Sequence, residues 1–240
     1  MSKDILLDVK GLTKFFHTPR GVLHAVDDVS FQIERGKTLG LVGESGCGKS
    51  TCGRSILRLI EPTSGEVDFE GRDIAKLSGN EMRKLRKEMQ IIFQDPFSSI
   101  NPRKTIAQTI AQPLMLHKIC SKSEVSDRVL EIMDTVGLAP RLMNTYPHEL
   151  DGGRRQRIGI ARALAMDPKF IVCDEPVSAL DVSIQAQILN LMKELQEKNG
   201  LTFLFITHDL SVVNHFSDDI AVMYLGRLIE KAPADELFAN

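Results

Sequence analysis

Short apolar runs along the chain predict the inner strands of a sheet. They lie at residues 38–43, 170–173 and 202–208 and consist mostly of apolar side chains. Continuous apolar runs of this length are typical of strands that a parallel sheet buries on both faces. The stretch VLHAVDDVSFQIERGK, which precedes the first run, instead alternates apolar and polar positions, which predicts an antiparallel edge sheet.

Helical periodicity separates these runs. Apolar residues three or four positions apart predict one buried face for each of three helices, formed by Ile56, Leu59 and Ile60, by Val125, Val129, Ile132 and Val136, and by Ile184, Ile188, Leu191 and Leu195. Gly137 and Gly200 follow the last two helices, as expected of residues that end a helix. From about residue 105 to residue 165 strand-like runs are scarce, so we predict a mostly helical insertion between strands of the sheet.

Composition narrows the class of protein. The alternation of strands and helices, without a repeat or a linker-like stretch, predicts one α/β domain over residues 1–240. Lys and Arg number 30 against 32 Asp and Glu, a net charge of −2 that argues against a dedicated nucleic-acid binder. We find no signal peptide and no apolar stretch long enough to cross a bilayer, so we expect any action at a membrane to require a partner.

The cysteines do not predict a metal site. Cys47, Cys52, Cys120 and Cys173 form no CxxC pair and have no histidine at the spacing of zinc ligands. We therefore expect reduced and mostly buried thiols in a cytosolic protein.

A phosphate-binding loop follows the first apolar run. The stretch GESGCGKST fits the pattern G-x-x-x-x-G-K-[ST], with a predicted strand before it and a predicted helix after it. We expect its backbone N–H groups and the helix N-terminus to face phosphates, Lys49 to reach the β- and γ-phosphates, and the Ser50 hydroxyl to bind Mg²⁺. The alternative, a glycine-rich turn that only links strand to helix, is disfavoured because every motif position is filled. The residues predicted to bind nucleotide here are Gly43, Glu44, Ser45, Gly46, Cys47, Gly48, Lys49, Ser50 and Thr51.

Two carboxylates follow the second apolar run. Asp174 stands at the carboxyl end of that predicted strand, where open α/β sheets bind ligands, and is expected to coordinate Mg²⁺ directly or indirectly. The Glu175 side chain is expected to point elsewhere and to be free to act as a base on water. The pair alone would be a polar strand end, and the phosphate-binding loop upstream favours the functional interpretation.

Together these motifs resemble the ATP-binding subunit of an ABC transporter, over nearly the whole chain. Further elements match that family in order, although each alone would be uninformative. Gln94, in IIFQDPFSSINP, resembles the glutamine loop that touches Mg²⁺ and the permease contact region, and His208, in FITHDL, resembles the switch histidine near the γ-phosphate. Ser178 and Asp181, in SALD, resemble the loop at the dimer interface. Phe16, in LTKFF, stands where the family stacks an aromatic ring on adenine, with Phe15 the less favoured candidate.

The resemblance implies a fold, an activity and partners. The fold would be that of a P-loop NTPase, with a RecA-like parallel-sheet core, an antiparallel β-subdomain and a helical subdomain over about residues 95–165. The activity would be hydrolysis of MgATP, with Glu175, His208 and Gln94 as catalytic residues and Ser50, Gln94 and Asp174 at the metal. The partners would be two permease subunits, a paralogous ATP-binding subunit or a second copy, and indirectly a solute-binding protein. We expect a peripheral location at the cytoplasmic face of the cell membrane and no nucleic-acid partner.

The sequence of the motifs and their flanking residues, as in CDEPVSALDVSIQAQILNLM, is most similar to that of the dipeptide, oligopeptide and nickel importer branch. We therefore expect a small solute, such as di- or oligopeptides. Two other classes stay open: a noncatalytic or accessory subunit, and a soluble ABC ATPase not linked to transport. Members of this branch usually continue with a C-terminal extension, often containing cysteines, and we expect any role of it to be missing from a chain that ends at Asn240.

One motif departs from the family. Its LSGGQ signature, which reaches an ATP held by the other subunit of a dimer, is replaced by Leu150, Asp151, Gly152, Gly153 and Arg154. Asp151 can still cap a helix, but a carboxylate about 4 Å from a phosphate charge costs roughly 4 kcal/mol at an effective dielectric constant near 20. We therefore expect a folded signature that engages ATP poorly. Part of this cost would be offset if Arg154 or Arg155 folded back towards Asp151, or if Asp151 were protonated. The alternative is that LDGGR is a variant of the signature with normal activity.

Overall fold

The computed structural model describes residues 4–95 and 99–237, which form two sheets and surrounding helices. The strands are β1 (Ile5–Thr18), β2 (Gly21–Glu34), β3 (Thr38–Val42), β4 (Ser64–Phe69), β5 (Arg72–Asp73), β6 (Met89–Ile92), β7 (Phe170–Asp174), β8 (Thr202–Ile206), β9 (Asp219–Tyr224) and β10 (Arg227–Pro233). The helices are α1 (Lys49–Ile56), α2 (Gly79–Leu85), α3 (Ile106–His117), α4 (Val125–Thr135), α5 (Gly152–Leu164), α6 (Val182–Asn199), α7 (Leu210–Phe216) and α8 (Ala234–Leu237).

The larger sheet contains the three predicted inner strands. Its order is β10-β9-β3-β8-β7-β6, and all neighbours are parallel except β10 and β9. Every residue of β3, β7 and β8 is buried, which confirms the interpretation of the three apolar runs. Because these strands are parallel, the segments that follow β3, β7 and β8 leave the sheet at the same edge.

The predicted antiparallel sheet is also present. β1 and β2 form a long hairpin, and β4 and β5 complete the order β2-β1-β4-β5. Apolar residues of this sheet and of α1 share one core with residues of β7 and β8. The antiparallel sheet is therefore packed, together with α1, onto one face of the larger sheet.

The segment between β6 and β7 is helical, as predicted. α3, α4 and α5 pack together, and residues such as Leu114, Met133 and Ile158 belong to one hydrophobic cluster with side chains of β7 and β8. Gly137 follows α4 with a φ of +69°, and Gly200 follows α6 with a φ of +64°, so both glycines end helices as predicted. Residues 96–98, inside the QDPFSSINP stretch, lie outside the described residues.

The helix after the phosphate-binding loop is shorter than predicted. We expected Ile56, Leu59 and Ile60 to share one helical face, but α1 ends at Ile56 and Leu59 is exposed. The reason is Arg58, whose φ of +49° is incompatible with a continuing helix. Its guanidinium donates hydrogen bonds to the carbonyl oxygens of Ile74 and Leu77, which fixes this turn against the neighbouring segment.

The four thiols are free, and three are buried. Burial raises the pKa of the Cys52 thiol to about 12, so this thiol stays protonated at neutral pH. Within residues 4–95 and 99–237, no helix combines the length and apolarity that a transmembrane helix needs.

Candidate nucleotide-binding site

A cavity of about 810 Å³ lies at the edge of the larger sheet where β3, β7 and β8 end. Its polar end is formed by the phosphate-binding loop together with Gln94, Glu175 and His208. The rest of its lining comes from β1 and β2 and from the turn between β9 and β10. The lining residues are Phe16, Leu23, His24, Ala25, Ser45, Gly46, Cys47, Gly48, Lys49, Ser50, Thr51, Gln94, Glu175, His208, Leu225 and Gly226.

The loop can pass so close to its neighbours only because glycine stands at both points of closest approach, Gly43 and Gly48. A Cβ atom on Gly43 would lie 2.1 Å from the carbonyl oxygen of Met223, and one on Gly48 would lie 2.0 Å from that of Ala25. Both residues also have positive φ angles, +150° and +111°. The loop is therefore held against β2 and β9 in a conformation that side-chain-bearing residues cannot adopt.

Lys49 is folded onto the loop. Its side chain is buried, and Nζ donates hydrogen bonds to the carbonyl oxygens of Gly43 at 2.7 Å and Glu44 at 2.8 Å. These contacts keep the ammonium group inside the loop, where a phosphate oxygen could replace the carbonyls as its acceptor. The glycine cradle and this cation fit a bound triphosphate.

Asp174 and Ser50 form a pair of oxygen donors beside the loop. The Ser50 hydroxyl donates to Asp174 Oδ1 at 2.5 Å, and Asp174 is only 1% exposed. Hydroxyl and carboxylate oxygens are the ligands that Mg²⁺ prefers, so this donor set fits the expected ion.

Sequence reasoning missed Arg54, whose Nη2 donates to Asp174 Oδ2 at 3.0 Å and balances the charge of that buried carboxylate. Its position four residues after Ser50, on the same face of α1, was the signal that could have found it.

Glu175 is held by the other two predicted catalytic residues. Its Oε2 accepts a hydrogen bond from Gln94 Nε2 at 2.9 Å, and its Oε1 lies 3.3 Å from His208 Nδ1. The side chain does point away from the partners of Asp174, as expected, and Gln94 and His208 hold it in position. The reason lies in the topology, because Gln94 follows β6 and His208 follows β8, on either side of β7. A φ of +49° at Glu175, unusual for a non-glycine residue, marks a strained backbone at this position.

The two candidate aromatic residues of β1 lie in different surroundings. Phe16 lines the cavity, with Lys14 Nζ 4.9 Å from its ring centroid. Phe15 instead packs against His24, with 3.9 Å between ring centroids and the rings tilted by 35°. The structure therefore brings Phe16, the favoured candidate, into the lining of the cavity.

The LDGGR stretch starts α5 and lies outside the lining of this cavity. Asp151 is the N-cap, and its Oδ1 accepts a hydrogen bond from the Arg154 N–H at 2.8 Å, as the helix-start pattern predicted. Arg154 Nε also lies 3.5 Å from Asp151 Oδ2, so the folding back that we did not favour does occur. Both side chains are more than half exposed, and such a surface pair is worth little, typically about 0–1 kcal/mol. The carboxylate stays at the positive end of α5, where it competes with any approaching anion.

The SALD loop connects the site to α6. The Ser178 hydroxyl donates to the backbone carbonyl oxygen of Glu175 at 3.2 Å, and Asp181 caps α6 by accepting a hydrogen bond from the Ile184 N–H. Val182, the residue after Asp181, is 82% exposed. An exposed apolar residue next to the loop that follows Glu175 is suited to contact a second protein surface.

Comparison with known proteins gives consistent matches. The family model described as ABC transporter matches residues 26–178. The oligopeptide transport ATP-binding protein OppF of Bacillus subtilis is 60% identical over 237 residues, which cover 98% of this chain and 78% of that protein. A putative peptide import ATP-binding protein of Brucella ovis is 53% identical over 240 residues, covering 100% of this chain and 76% of that protein.

Solved structures agree with the sequence matches. The ATP-binding cassette MJ0796, in a dimeric post-hydrolysis state bound to ADP and phosphate, superposes with a TM-score of 0.86 at 31% identity, covering 95% of this chain and 98% of that one. The protein cbiO1 from Clostridium perfringens, part of the transporter complex cbiONQ, superposes with a TM-score of 0.88 at 30% identity, covering 99% of this chain and 92% of that one.

Proposed function

Because this chain belongs to the ABC transporter family, as an ATP-hydrolysing subunit, we propose that it powers the import of di- or oligopeptides through separate membrane-spanning subunits. The observation that carries this proposal is the convergence of Glu175, Gln94 and His208 on the cavity that holds the phosphate-binding loop. Peptides are the proposed solute because the relatives of highest identity quoted above are peptide transport or import subunits.

The residues of the site divide the reaction between them. The loop amides and Lys49 bind and orient the triphosphate, and Phe16 stacks on the base. Mg²⁺, held by Ser50, Asp174 and Gln94, would neutralise charge on the β- and γ-phosphates. Glu175 accepts a proton from the attacking water, while Gln94 and His208 orient its two carboxylate oxygens and His208 lies near the γ-phosphate.

We propose a single ABC ATPase domain, residues 1–240, with about residues 95–165 as the helical subdomain that contains the signature. The partners are two permease subunits and a second ATPase subunit, either a paralogue or another copy, and a solute-binding protein acts through the permeases. This arrangement places the chain peripherally at the cytoplasmic face of the cell membrane. The dimeric state of one structural relative and the multi-subunit complex of the other support it.

Peptide uptake tests the proposal. Proteoliposomes containing this chain with its co-purified membrane subunits and second ATPase are expected to accumulate a labelled peptide only when MgATP and the solute-binding protein are present. Complexes with Asp174→Asn, which removes the charge of the buried carboxylate, are the matched control and are expected to lose uptake. Co-purification with ribosomes or DNA, or a membrane complex that turns over no ATP, would contradict the proposal and favour one of the other two classes.

The carboxylate at Asp151 predicts two unequal ATP sites in a complex with an ATPase that carries an intact LSGGQ. The loop of this chain would meet the intact signature, and the partner's loop would meet LDGGR. The double substitution Asp151→Ser with Arg154→Gln removes the repulsion and is expected to raise turnover about two- to tenfold, since exposure screens most of the full Coulomb cost.

Steady-state ATP turnover of the complex and of the isolated chain measures this asymmetry. The isolated chain is expected to be slow, and the repaired chain faster. Asp134→Ser, which removes an exposed carboxylate from the end of α4, is the matched control and is expected to change nothing. If the isolated chain is as fast as the complex and the repair has no effect, LDGGR is a tolerated variant.

A further inference from the structure

The turn between β9 and β10 contains a leucine where the backbone disfavours one. Leu225 and Gly226 form a two-residue hairpin loop, since Tyr224 and Arg227 are opposite each other in the strand register. Both loop residues have positive φ angles, +45° and +83°. Such turns favour Asn, Asp or Gly at the first position, because a larger side chain crowds the backbone in the left-handed conformation.

Core packing does not explain Leu225 either. Its surface is 71% exposed, so the fold gains little from burying this side chain. The residue lines the cavity of the phosphate-binding loop. A strained backbone that holds an exposed apolar side chain at the rim of a ligand cavity points to a role in binding.

The turn is attached directly to the phosphate-binding loop. The Gly226 N–H donates a hydrogen bond to the Cys47 carbonyl oxygen at 2.9 Å, and the Asp27 N–H donates to the Gly226 carbonyl oxygen at 2.8 Å. Arg227 Nη2 lies 2.7 Å from Asp27 Oδ2, which adds an ion pair between β10 and β2. The position of Leu225 is therefore fixed relative to the loop that would hold the triphosphate.

Two other apolar side chains line the same cavity. Phe16 and Leu23 are opposite each other in the register of β1 and β2, and Leu23 is 55% exposed. Aromatic and aliphatic walls suit the planar base of a nucleotide, whereas the charged residues lie at the phosphate end. We propose that Leu225 forms a wall of the base-binding end, opposite the strand pair of Phe16 and Leu23, and contacts the adenosine part of ATP. This inference rests on ATP binding in this cavity, as proposed above.

The substitution Leu225→Asn separates a binding role from a structural one. Asn tolerates a positive φ, so the variant is expected to unfold at the same temperature as the wild type or at a higher one. Loss of the apolar contact is expected to weaken ATP binding about three- to tenfold. Inorganic tripolyphosphate, which has no base, is expected to bind both proteins equally. Isothermal titration of the purified chain with ATP and with tripolyphosphate, both with Mg²⁺, measures these affinities.

Ile229→Asn is the matched control, because Ile229 is 62% exposed on β10 but does not line the cavity. It is expected to leave ATP affinity unchanged. Wild-type ATP affinity in Leu225→Asn, or an equal loss for ATP and tripolyphosphate, would overturn the role of Leu225. Unchanged affinity with impaired association of two ATPase subunits would assign Leu225 to the subunit interface and overturn it as well. Failure of the wild-type chain to bind ATP would instead contradict the proposed function itself, and this inference with it.

Discussion

Glu175→Gln is expected to lower ATP turnover by about 10²- to 10⁴-fold while ATP binding is retained, because an amide has no comparable basicity for a water proton. The substitution changes the shape of the side chain little. One of its atoms can still accept the hydrogen bond from Gln94 that the Glu175 carboxylate accepts at 2.9 Å. The effect should therefore fall on the chemical step, and the affinity for MgATP should change less than turnover does.

Single-turnover hydrolysis and size-exclusion chromatography test this result. The resemblance to the family implies that hydrolysis separates two ATP-bound subunits, so the variant is expected to accumulate as an ATP-bound dimer. Glu197→Gln, an exposed residue of α6, is the matched control and should hydrolyse ATP at the wild-type rate. Wild-type turnover of Glu175→Gln in the assembled complex would assign the base to another group. A loss of ATP binding equal to the loss of turnover would show a structural role.

The sequence predicted the local parts of the site because each depends on a short segment. The glycines and Lys49 of the loop follow one strand directly, and Asp174 ends another, so hydrophobic pattern and motif together place them. The helical insertion and the cap at Asp151 are equally local. The order of motifs that the chain shares with the family then identified Gln94 and His208. The surroundings of these two residues could not be predicted from any single segment.

The contacts that sequence reasoning missed join distant segments. Glu175 is held from β6 on one side and from β8 on the other, which depends on the strand order. The backbone hydrogen bond from Gly226 to Cys47 requires β9 to lie beside β3. The early end of α1 depends on carbonyl groups of a later segment that bind Arg58. Periodicity and motif spacing contain no information about such pairings.

Lys49→Ala is expected to abolish tight nucleotide binding. A unit positive charge about 4 Å from a phosphate charge contributes about 4 kcal/mol at an effective dielectric constant near 20, which corresponds to about 10³-fold in affinity. The loss of two contacts within the loop adds to this effect, because the carbonyl oxygens of Gly43 and Glu44 lose the hydrogen bonds that Nζ donates to them. Lys49→Met keeps most of the stem and removes only the charge, so it is expected to show nearly the same loss.

Calorimetric titration with MgATP, together with thermal unfolding, separates binding from folding in these variants. Lys76→Ala is the matched control, because this exposed lysine pairs only with surface carboxylates in the described part of the chain. It should bind MgATP with wild-type affinity. If Lys49→Met unfolds at the wild-type temperature and still binds MgATP as tightly as the wild type, the ammonium group does not contact the phosphates. The cavity would then hold nucleotide by the loop amides alone, and Lys49 would serve only to close the loop.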